Sequence, residues 1–424
     1  MKKVYEKTLS IVFSVFIILT MILSFAFGKN GMIETLVENK DAIMAYEPTE
    51  KYIKNTVSIA GKAFENGVFL KTEYVDLYGG IQKAFGKKVI WEADTSKTIM
   101  LGSDNKLYSS GNVSLNFKES EVNKDKLCGY GENIKSFAKY LNEKGCDLVV
   151  FLAPSRYDPD KVSLPCEISD NSKENVDYLY ETIKDGESLT ALNAQKLYAE
   201  RSMDFGDMFY KTDHHWTVKT AFWAYAEICE ALDSNCGYNI DSRYYDLNSF
   251  NVETLKGKYL GSYGARVGGL FVGYDDFDLI YPKFETDYTK SVCKNQNKRM
   301  ETGGKIETSG SFTEAVFTDF DGIKSGKTKL TFGSYIAADR SEVRLVNRKS
   351  ATDKKILIIK DSYALPTSAF LSTCFAETRL IDLRYLKDMS ACEYIDNYNP
   401  DLVLILYNPG VYDDMFFDFG EEGR

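Results

Sequence analysis

The chain of 424 residues contains only two histidines, His214 and His215, and both lie in the segment Lys211–Thr217 (KTDHHWT). Proton transfer by an imidazole near neutral pH would take place here, because histidine titrates in that range. On an extended segment Asp213 and His215 leave the same face, while His214 points to the other. A carboxylate so placed can bond one ring nitrogen, fix the tautomer of His215 and stabilise its imidazolium. We therefore predict that Asp213 and His215 act as a pair. His214 is the alternative base, and a simple helix cap is the competing interpretation.

A serine in a second stretch, Lys355–Tyr363 (KILIIKDSY), completes the chemistry. Ser362 follows an apolar run predicted to be a buried strand and precedes a predicted helix. In open α/β sheets the ligand crevice lies outside the carboxyl ends of the strands. A helix N-terminus there offers free backbone N–H groups, so the serine could attack a carbonyl while amides hold the oxyanion. The alternative is that Asp361 or Ser362 only caps the helix. We expect Ser362, His215 and Asp213 to meet as a Ser-His-Asp site.

The elements that must position these residues alternate between apolar strands and amphipathic helices. Strands are predicted at residues 146–153, 356–359, 377–383 and 401–407. Helices are predicted at residues 130–144, 171–184, 217–232, 365–374 and 386–397. This alternation predicts an α/β fold, a three-layer sandwich around a mostly parallel sheet.

Two other regions carry a β-like pattern. Residues 98–108 (TIMLGSDNKLY) predict a hairpin around a Gly-Ser-Asp-Asn turn. Residues from about 240 to 350 contain short β-like runs and frequent glycine, with residues 257–264 interpreted as a loop and residues 312–344 as strands with turns. We interpret this region as a β-rich insertion that covers the site.

The N-terminus carries an uncharged apolar stretch, Leu9–Phe27, of nineteen residues. One membrane-spanning helix needs roughly 20 such residues, and the lysines before it predict a cytoplasmic N-terminus. A cleaved signal peptide is the alternative, although its apolar core is usually shorter. We therefore predict a cytoplasmic tip and signal anchor at 1–30, a membrane-proximal stalk at 31–95 and a catalytic α/β domain at 96–424. The expected location is the cell membrane, single-pass, with the catalytic domain outside the cytoplasm.

Composition narrows the range of partners and cofactors. The formal net charge is −10 with no basic stripe, which makes nucleic acid an unlikely ligand class. The eight cysteines show neither a CxxC pair nor zinc-type spacing. No metal and no cofactor is therefore expected. The Asp-His-His triplet also occurs in phosphoesterases that bind manganese, but those require further aspartate motifs.

Taken together, these motifs resemble the DHHW family. The resemblance is carried by KTDHHWT with its following aromatic-alanine helix, YLGSYG at 259–264, KILIIKDSYALPTSAFL at 355–371 and a closing DLVLILYN at 401–408. The sequence is similar to the alginate O-acetylation proteins of the AlgJ/AlgX type, which have an SGNH-hydrolase-like fold. The resemblance extends over roughly residues 50–410.

The resemblance implies an extracytoplasmic acyl-transfer enzyme with Ser362 as nucleophile, His215 as base and Asp213 as its orienting acid. Lys360 stands where SGNH serines often have a glycine, so the local loop should differ. The remaining candidates for the oxyanion hole or for substrate contacts are Asp361, Tyr363, Asn408, Arg156, His214 and Trp216. Arg384 is predicted to make structural ion pairs.

The predicted function is that of a membrane-anchored O-acetyltransferase-like enzyme that acetylates a cell-surface or exported polysaccharide. The family resemblance implies a carbohydrate polymer as acceptor and a membrane-bound O-acyltransferase as the source of the acetyl group. Two alternatives remain open. One is an acetyl-esterase with the same triad, and the other is a non-catalytic envelope protein that binds polysaccharide.

Overall fold

The computed structural model describes residues 15, 18–44, 49–91, 98–109, 123–166 and 170–420. The chain divides into two compact units, Met1–Ile81 and Gln82–Arg424. The described part of the first unit is mainly helical, at residues 18–27 and in the helices Lys29–Glu38, Lys40–Met44 and Glu50–Asn66. A further helix, Lys71–Ala84, begins in this unit and ends in the second. The side-chain amide of Asn66 donates to the Thr35 hydroxyl at 2.9 Å, which ties two of these helices together.

The predicted membrane span Leu9–Phe27 falls only partly on described residues, because residues 1–14 and 16–17 lie outside them. Residues 18–27 are helical. Over the part of the chain that the structure describes, no helix has both the length and the apolar character needed to cross a bilayer. The anchor therefore stays a prediction from sequence.

The second unit contains all the β-strands of the described residues. In chain order these are β1 (Val89–Ile90), β2 (Ile99–Leu101), β3 (Leu107–Ser109), β4 (Asp147–Leu152), β5 (Thr190–Asn193), β6 (Phe250–Tyr259), β7 (Asp275–Pro282), β8 (Tyr288–Cys293), β9 (Lys305–Gly310), β10 (Glu342–Asn347), β11 (Lys355–Lys360), β12 (Glu377–Ile381) and β13 (Leu402–Tyr407). The α-helices are Lys124–Glu143, Ser172–Ile183, Ala194–Glu200, Phe205–Met208, Val218–Cys236, Ser262–Val267, Gly269–Val272, Met300–Gly303, Phe320–Ser325, Leu365–Leu371 and Ala391–Tyr398. Short 3₁₀ helices lie at Ser242–Tyr244, Leu247–Ser249, Phe332–Ser334, Ser362–Ala364, Pro409–Val411 and Asp414–Phe416, and a π-helix lies at Phe312–Val316.

The central sheet has eight strands in the order β5-β4-β13-β11-β12-β10-β8-β9. The first five run parallel, and β10, β8 and β9 add to β12 as an antiparallel edge. The sheet is therefore mixed, and the prediction of a mostly parallel sheet is correct only for its first five strands. The central parallel strands β4, β11 and β13 read as nearly continuous apolar runs because both of their faces are covered.

Two separate cores confirm the three-layer arrangement. Alternate residues of a strand point to opposite faces, so Ile356 and Ile358 of β11 join one core while Leu357 and Ile359 join the other. The helices Val218–Cys236 and Leu365–Leu371 pack in the first core. The second core contains residues of the helices Lys124–Glu143, Ser172–Ile183 and Ala391–Tyr398.

The region from 240 to 350 differs from its predicted form in two ways. Its strands β8, β9 and β10 extend the central sheet, and only β6 and β7 form a separate antiparallel pair. The segment predicted as strands with turns at 312–344 contains instead a π-helix, an α-helix and a 3₁₀ helix before β10 begins at Glu342. The alternation of polar and apolar residues can identify a strand. It does not reveal the neighbouring strand, which is distant in sequence.

The carboxyl ends of three neighbouring parallel strands bring the candidate residues to one edge of the sheet. Ser362 follows β11, Arg156 follows β4 and Asn408 follows β13. The hairpin predicted at 98–108 is present as β2 and β3, which pair antiparallel. None of the eight cysteines, each among the described residues, forms a disulfide.

The buried centre of β11 should dominate the stability of this unit. Ile358 is fully buried there, whereas Ile306 on the edge strand β9 is 56% exposed. Ile358→Ala is expected to lower the free energy of unfolding by about 2–5 kcal/mol through lost burial and a residual cavity. Ile306→Ala, the same change at an exposed site, should stay within about 0.5 kcal/mol. Urea unfolding of the full chain measures both, and similar values for the two variants would contradict this description of the core.

Candidate functional site

The structure brings the serine and the histidine together across 147 positions of the chain. The Ser362 Oγ lies 2.9 Å from the Nε2 of His215, within hydrogen-bond distance. Ser362 begins the short 3₁₀ helix that follows β11, so its side chain lies at the carboxyl edge of the sheet. A neutral His215 with its proton on Nδ1 would accept the hydroxyl proton at Nε2. This is the contact that a serine needs for activation as a nucleophile.

Asp213 lies behind His215, with its Oδ2 at 3.3 Å from the His215 Nδ1. This distance is slightly too long for a well-formed hydrogen bond. The carboxylate is otherwise well satisfied: the Ser262 hydroxyl and the His214 backbone N–H each donate at 2.7 Å, and the Tyr259 hydroxyl also donates. Burial alone would raise the pKa of Asp213, but the two imidazoles hold it well below its usual range. Asp213 therefore stays ionised beside His215.

Trp216 and Tyr363 join the two segments by a reciprocal pair of hydrogen bonds. The Trp216 indole N–H donates to the Tyr363 carbonyl at 3.0 Å, and the Tyr363 hydroxyl donates to the His214 carbonyl at 2.6 Å. Both side chains are buried, and their ring centroids lie 5.4 Å apart. Of the residues predicted as oxyanion or substrate candidates, these two hold the backbone of the site.

The segment Lys211–Thr217, here called the histidine loop, is also bound by residues at the end of β6 and the start of β7. The carboxylate of Asp275 accepts from the backbone N–H groups of Lys211 and Thr212, both at 2.8 Å. The Thr212 hydroxyl in turn accepts from the Gly261 N–H at 2.8 Å. A side chain at 261 would collide with Asp213, because an added Cβ would lie 2.2 Å from the Asp213 Cβ. Glycine is thus required at 261 by close approach to the carboxylate.

The His215 ring lies between two other rings. Phe332 stacks on it almost in parallel, with centroids 3.9 Å apart and an interplanar angle of 10°, and the His214 ring lies 3.7 Å away. Burial, together with His214 and against Asp213, lowers the pKa of His215 to about 4. The imidazole is therefore neutral at physiological pH and able to accept a proton at Nε2.

Lys360 and Asp361 precede the serine, and both are buried. They belong to different hydrogen-bond networks. The Asp361 carboxylate accepts from the Tyr363 N–H at 2.9 Å and from the Asn408 N–H at 2.8 Å, and burial raises its pKa to about 6. Lys360 is buried and donates to Asp339 at 2.8 Å and to Asp382 at 3.2 Å. The Lys360 side chain thus points into an ion-pair network.

Arg384 belongs to the same network, as expected. It contacts Asp382 at 2.7 Å and Asp339 at 3.0 Å, so two cations and two carboxylates balance one another. Arg384 and Asp339 also line the cleft that contains Ser362 and His215, which has an empty volume of about 1110 Å³ open to solvent.

A second, smaller cavity lies beside the cleft. Arg156 and Asn408 line this cavity together with Tyr363, and the Asn408 side chain caps the helix Pro409–Val411 by accepting from the Gly410 N–H at 3.0 Å. His214 lines both spaces. Thus neither Arg156 nor Asn408 is among the residues that line the cleft with Ser362.

The Asp-His-His triplet also satisfies a geometric condition for metal binding. Ligand atoms of Asp213, His214 and His215 lie within 4.8 Å of one another, and among the described residues no other such group of three forms. One nitrogen of each imidazole already has a hydroxyl partner, however: His215 Nε2 contacts Ser362, and His214 Nδ1 contacts Ser262 at 2.9 Å. This arrangement suits proton transfer with the serine.

Three side chains at the site were not predicted from the sequence. Tyr259 and Ser262 donate to Asp213, and Phe332 covers His215. The repeated tyrosines and glycines of residues 259–264 were a usable signal for the first two. No local pattern distinguishes Phe332 from the other phenylalanines of its region.

The sequence and the fold both have known relatives. Residues 99–289 match the family model described as SGNH hydrolase-like domain, acetyltransferase AlgX. No curated protein sequence matches the chain significantly. The resemblance to the AlgX-type SGNH-hydrolase-like proteins is confirmed over the matched residues.

Solved structures extend the likeness in fold. PatB1 of Bacillus cereus superposes with a TM-score of 0.57 at 19% identity, covering 78% of this chain and 100% of PatB1, and it has also been solved with a sulfonyl adduct. A DHHW family protein from Eubacterium siraeum superposes with a TM-score of 0.51 at 18% identity, covering 69% of this chain and 88% of that protein. At these identities the likeness concerns the fold alone. The match to the family model supports an SGNH-like α/β fold, and the strand pairing shows that its sheet is mixed.

The stacked ring of Phe332 should hold the pKa of His215 low. Phe332→Ala opens one face of the imidazole to water and is expected to raise the pKa of His215 from about 4 toward its ordinary value of about 6.5. Nitrogen-15 spectra of histidine-labelled protein across pH follow this directly, since the chain has only two imidazoles. Phe320→Ala, which removes a ring that packs on Phe317 and Tyr281, is the matched control. An unchanged His215 titration in Phe332→Ala would contradict the assigned role of stacking.

Proposed function

We propose that this protein is an O-acetyltransferase-like enzyme that works outside the cytoplasm and transfers an acetyl group to a hydroxyl of a polysaccharide. Ser362 is the nucleophile, His215 the general base and acid, and Asp213 the group that orients and stabilises the imidazole. The single observation that supports this most is the 2.9 Å contact between Ser362 Oγ and His215 Nε2, with an ionised Asp213 behind the ring. The match to the AlgX acetyltransferase model supports the choice of acyl group.

In the first half-reaction Ser362 attacks the carbonyl carbon of an acetyl ester. The hydroxyl proton passes to the Nε2 of His215, which is free to accept it because the ring is neutral above about pH 4. The resulting imidazolium is stabilised by the Asp213 carboxylate. Collapse of the tetrahedral intermediate breaks the bond to the donor oxygen, which takes the proton from His215. The acetyl group remains on Ser362.

In the second half-reaction a sugar hydroxyl gives its proton to His215 and attacks the acetyl-serine. The bond to the Ser362 oxygen then breaks, and that oxygen recovers the proton from His215. The donor we assign to the oxyanion is the backbone N–H of Ser362, at the start of the helix Ser362–Ala364, because the Tyr363 N–H already donates to Asp361. The proposed source of the acetyl group is a membrane-bound O-acyltransferase, and the membrane anchor at 1–30 would keep this chain beside it.

Removing the serine or the histidine should abolish acetyl transfer. Ser362→Ala and His215→Ala are each expected to reduce the rate by roughly 10³-fold or more, and the double variant by little more, because the residues act as one unit. The assay measures acetyl transfer from an acetyl ester to an added glycan, with hydrolysis followed in parallel. Ser325→Ala, a surface serine on the helix Phe320–Ser325, is the matched control.

The same assay separates the rival functions. An enzyme that releases acetate at the same rate with and without glycan, and acetylates no glycan, is the esterase. A chain that shows neither reaction and is not labelled by a serine-directed sulfonyl fluoride is the non-catalytic binding protein. Near-normal transfer by Ser362→Ala would overturn the assignment of the nucleophile.

Metal removal tests the phosphoesterase alternative that the Asp-His-His triplet raises. Because the proposed reaction uses only protein groups, treatment with EDTA is expected to leave the transfer rate unchanged. Hydrolysis of a phosphate diester that depends on added Mn²⁺, with no acetyl transfer, would instead assign the triplet to a metal.

A further inference from the structure

The residue before the nucleophile, Asp361, is a buried carboxylate that the mechanism above does not use. One of its oxygens accepts from the Tyr363 N–H at 2.9 Å, and the other accepts from the Asn408 N–H at 2.8 Å. Both donors are backbone groups, so each bond fixes the main chain itself. Ser362 therefore lies in a turn that is closed by the carboxylate of its own neighbour.

The two bonds restrain this turn in different directions. The bond from the Tyr363 N–H caps the short helix Ser362–Ala364, within which the serine is the first residue. The bond from the Asn408 N–H crosses to the segment that follows β13. The pairing of β11 with β13 ends at Lys360, so the carboxylate continues the connection between these strands beyond their last paired residue. The position of the serine backbone depends on that connection.

The carboxylate accepts at both of its oxygens only while it is ionised. A protonated acid exchanges one acceptor for an O–H donor, and that donor would meet a backbone N–H. An asparagine at this position would present an amide donor in the same way. Burial opposes the ionised form and raises the pKa of Asp361 to about 6, although the two backbone bonds act in the opposite direction. The turn is thus fully bonded at neutral pH and loses a bond in mild acid.

The charged and titratable groups around Asp361 lie on its own turn and on the segments that follow β12 and β13. Arg384 favours the ionised carboxylate, and Asp382 opposes it. Three tyrosines also interact with it: Tyr363, Tyr407 and Tyr412. Burial raises the pKa of each of these hydroxyl groups above its ordinary value. Neither the guanidinium nor these hydroxyls change charge between about pH 5 and about pH 8.

We infer that Asp361 is a positioning residue whose ionised carboxylate holds the Ser362 hydroxyl at the Nε2 of His215. Loss of one of its two backbone bonds lets the turn relax, and a displacement of about 1 Å can cost roughly 10²-fold in rate. The acid limit of the reaction is therefore set by Asp361 rather than by the base. The effect on acetyl transfer rests on the function proposed above, whereas the position of the hydroxyl does not.

The reactivity of Ser362 across pH tests this role in the wild-type chain. The measured quantities are kcat/KM for acetyl transfer and the rate of labelling by a serine-directed sulfonyl fluoride. Activity requires the ionised carboxylate, so it is lost as the pH falls through about 6, and we expect a loss of about tenfold between about pH 7 and about pH 5. If His215 alone set the limit, with its pKa of about 4, the loss over the same range would be only about one-tenth.

Three variants assign the acid limit to its residue. Asp361→Asn cannot titrate, so its rate is expected to be roughly 10²-fold lower near neutral pH and to show no step near pH 6. His214→Gln removes the other imidazole of the site and should keep the step. Asp246→Asn is the matched control, because Asp246 is exposed and caps the helix Leu247–Ser249 by accepting a backbone N–H at 2.9 Å. Its profile should equal that of the parent.

A spectroscopic measurement separates this role from the proposed function. Nitrogen-15 spectra of histidine-labelled protein report whether the Ser362 hydroxyl still donates to the His215 Nε2, with or without acetyl transfer. We expect a step near pH 6 in the His215 signal of the wild-type chain and of His214→Gln, and no such step in Asp361→Asn. If the step is present while the wild-type chain transfers no acetyl group, the proposed function fails and the positioning role remains.

Three results would overturn the inference. The first is a wild-type chain in which the His215 signal and any measured rate change only near pH 4. The second is an unchanged step in Asp361→Asn, and the third is loss of the step in His214→Gln, which would assign it to that imidazole. The first and the third need no Asp361 variant, so they decide the matter even if Asp361→Asn fails to fold.

Discussion

The reciprocal hydrogen bonds between Trp216 and Tyr363 are the constraint on which the rest of the site depends. Each residue donates from its side chain to a backbone carbonyl of the other segment. Together they fix the histidine loop against the end of β11 through two bonds of different direction. The distance from Ser362 to His215 is set by this arrangement, since each of those residues is the immediate neighbour of one member of the pair. Because both rings are buried, their polar ends would be costly to leave unpaired.

The Asp213 carboxylate, behind His215, depends on hydrogen bonds from the segment that contains Tyr259 and Ser262. Asp213 is ionised in a buried position, which is costly unless hydrogen bonds replace its hydration. Tyr259, the last residue of β6, and Ser262, which begins the next helix, supply two of them. That segment approaches closely enough only because position 261 is a glycine. The pairing of Asp213 with His215 therefore depends on a third segment, residues 259–262, besides the segments that contain His215 and Ser362.

The parts of this structure that the sequence predicted are those encoded locally. The apolar run of β4, the strand β11 and the last strand β13 identify the buried parallel sheet, and Ser362 at the end of β11 identifies its functional edge. These features depend on strand period and on the fold class, which a single sequence can indicate. The spacing of Asp213 and His215 predicted an extended segment with His214 on the opposite face. The segment instead forms bends, and the His214 ring lies 3.7 Å from that of His215, with its Nδ1 3.0 Å from Asp213.

The parts that it did not predict depend on contacts between distant segments. Strands β8, β9 and β10 carry a β pattern, but nothing within them states that they extend the central sheet. Phe332 lies in a region of short helices predicted as strands, and its contact with His215 arises only from tertiary packing. The sequence predicts an altered loop at Lys360, but it does not reveal that Asp339 and Asp382 balance the charge of this lysine. The ion-pair partners of a buried lysine are distant in sequence, so they can be identified only in the folded structure.

Enclosure of the imidazole has a consequence for the choice between water and sugar as acceptor. His215 is covered by Phe332 on one face and by His214 near the other, so its Nε2 is reached through the cleft that contains Ser362. An acetyl-serine formed there would meet attacking groups only from that cleft. A bound glycan that occupies the cleft displaces water and places its own hydroxyl beside the base, which favours transfer by proximity. A weakly bound acceptor leaves water in place, and the same residues then perform hydrolysis. The balance between the two reactions is therefore a property of acceptor binding, while the triad is common to both.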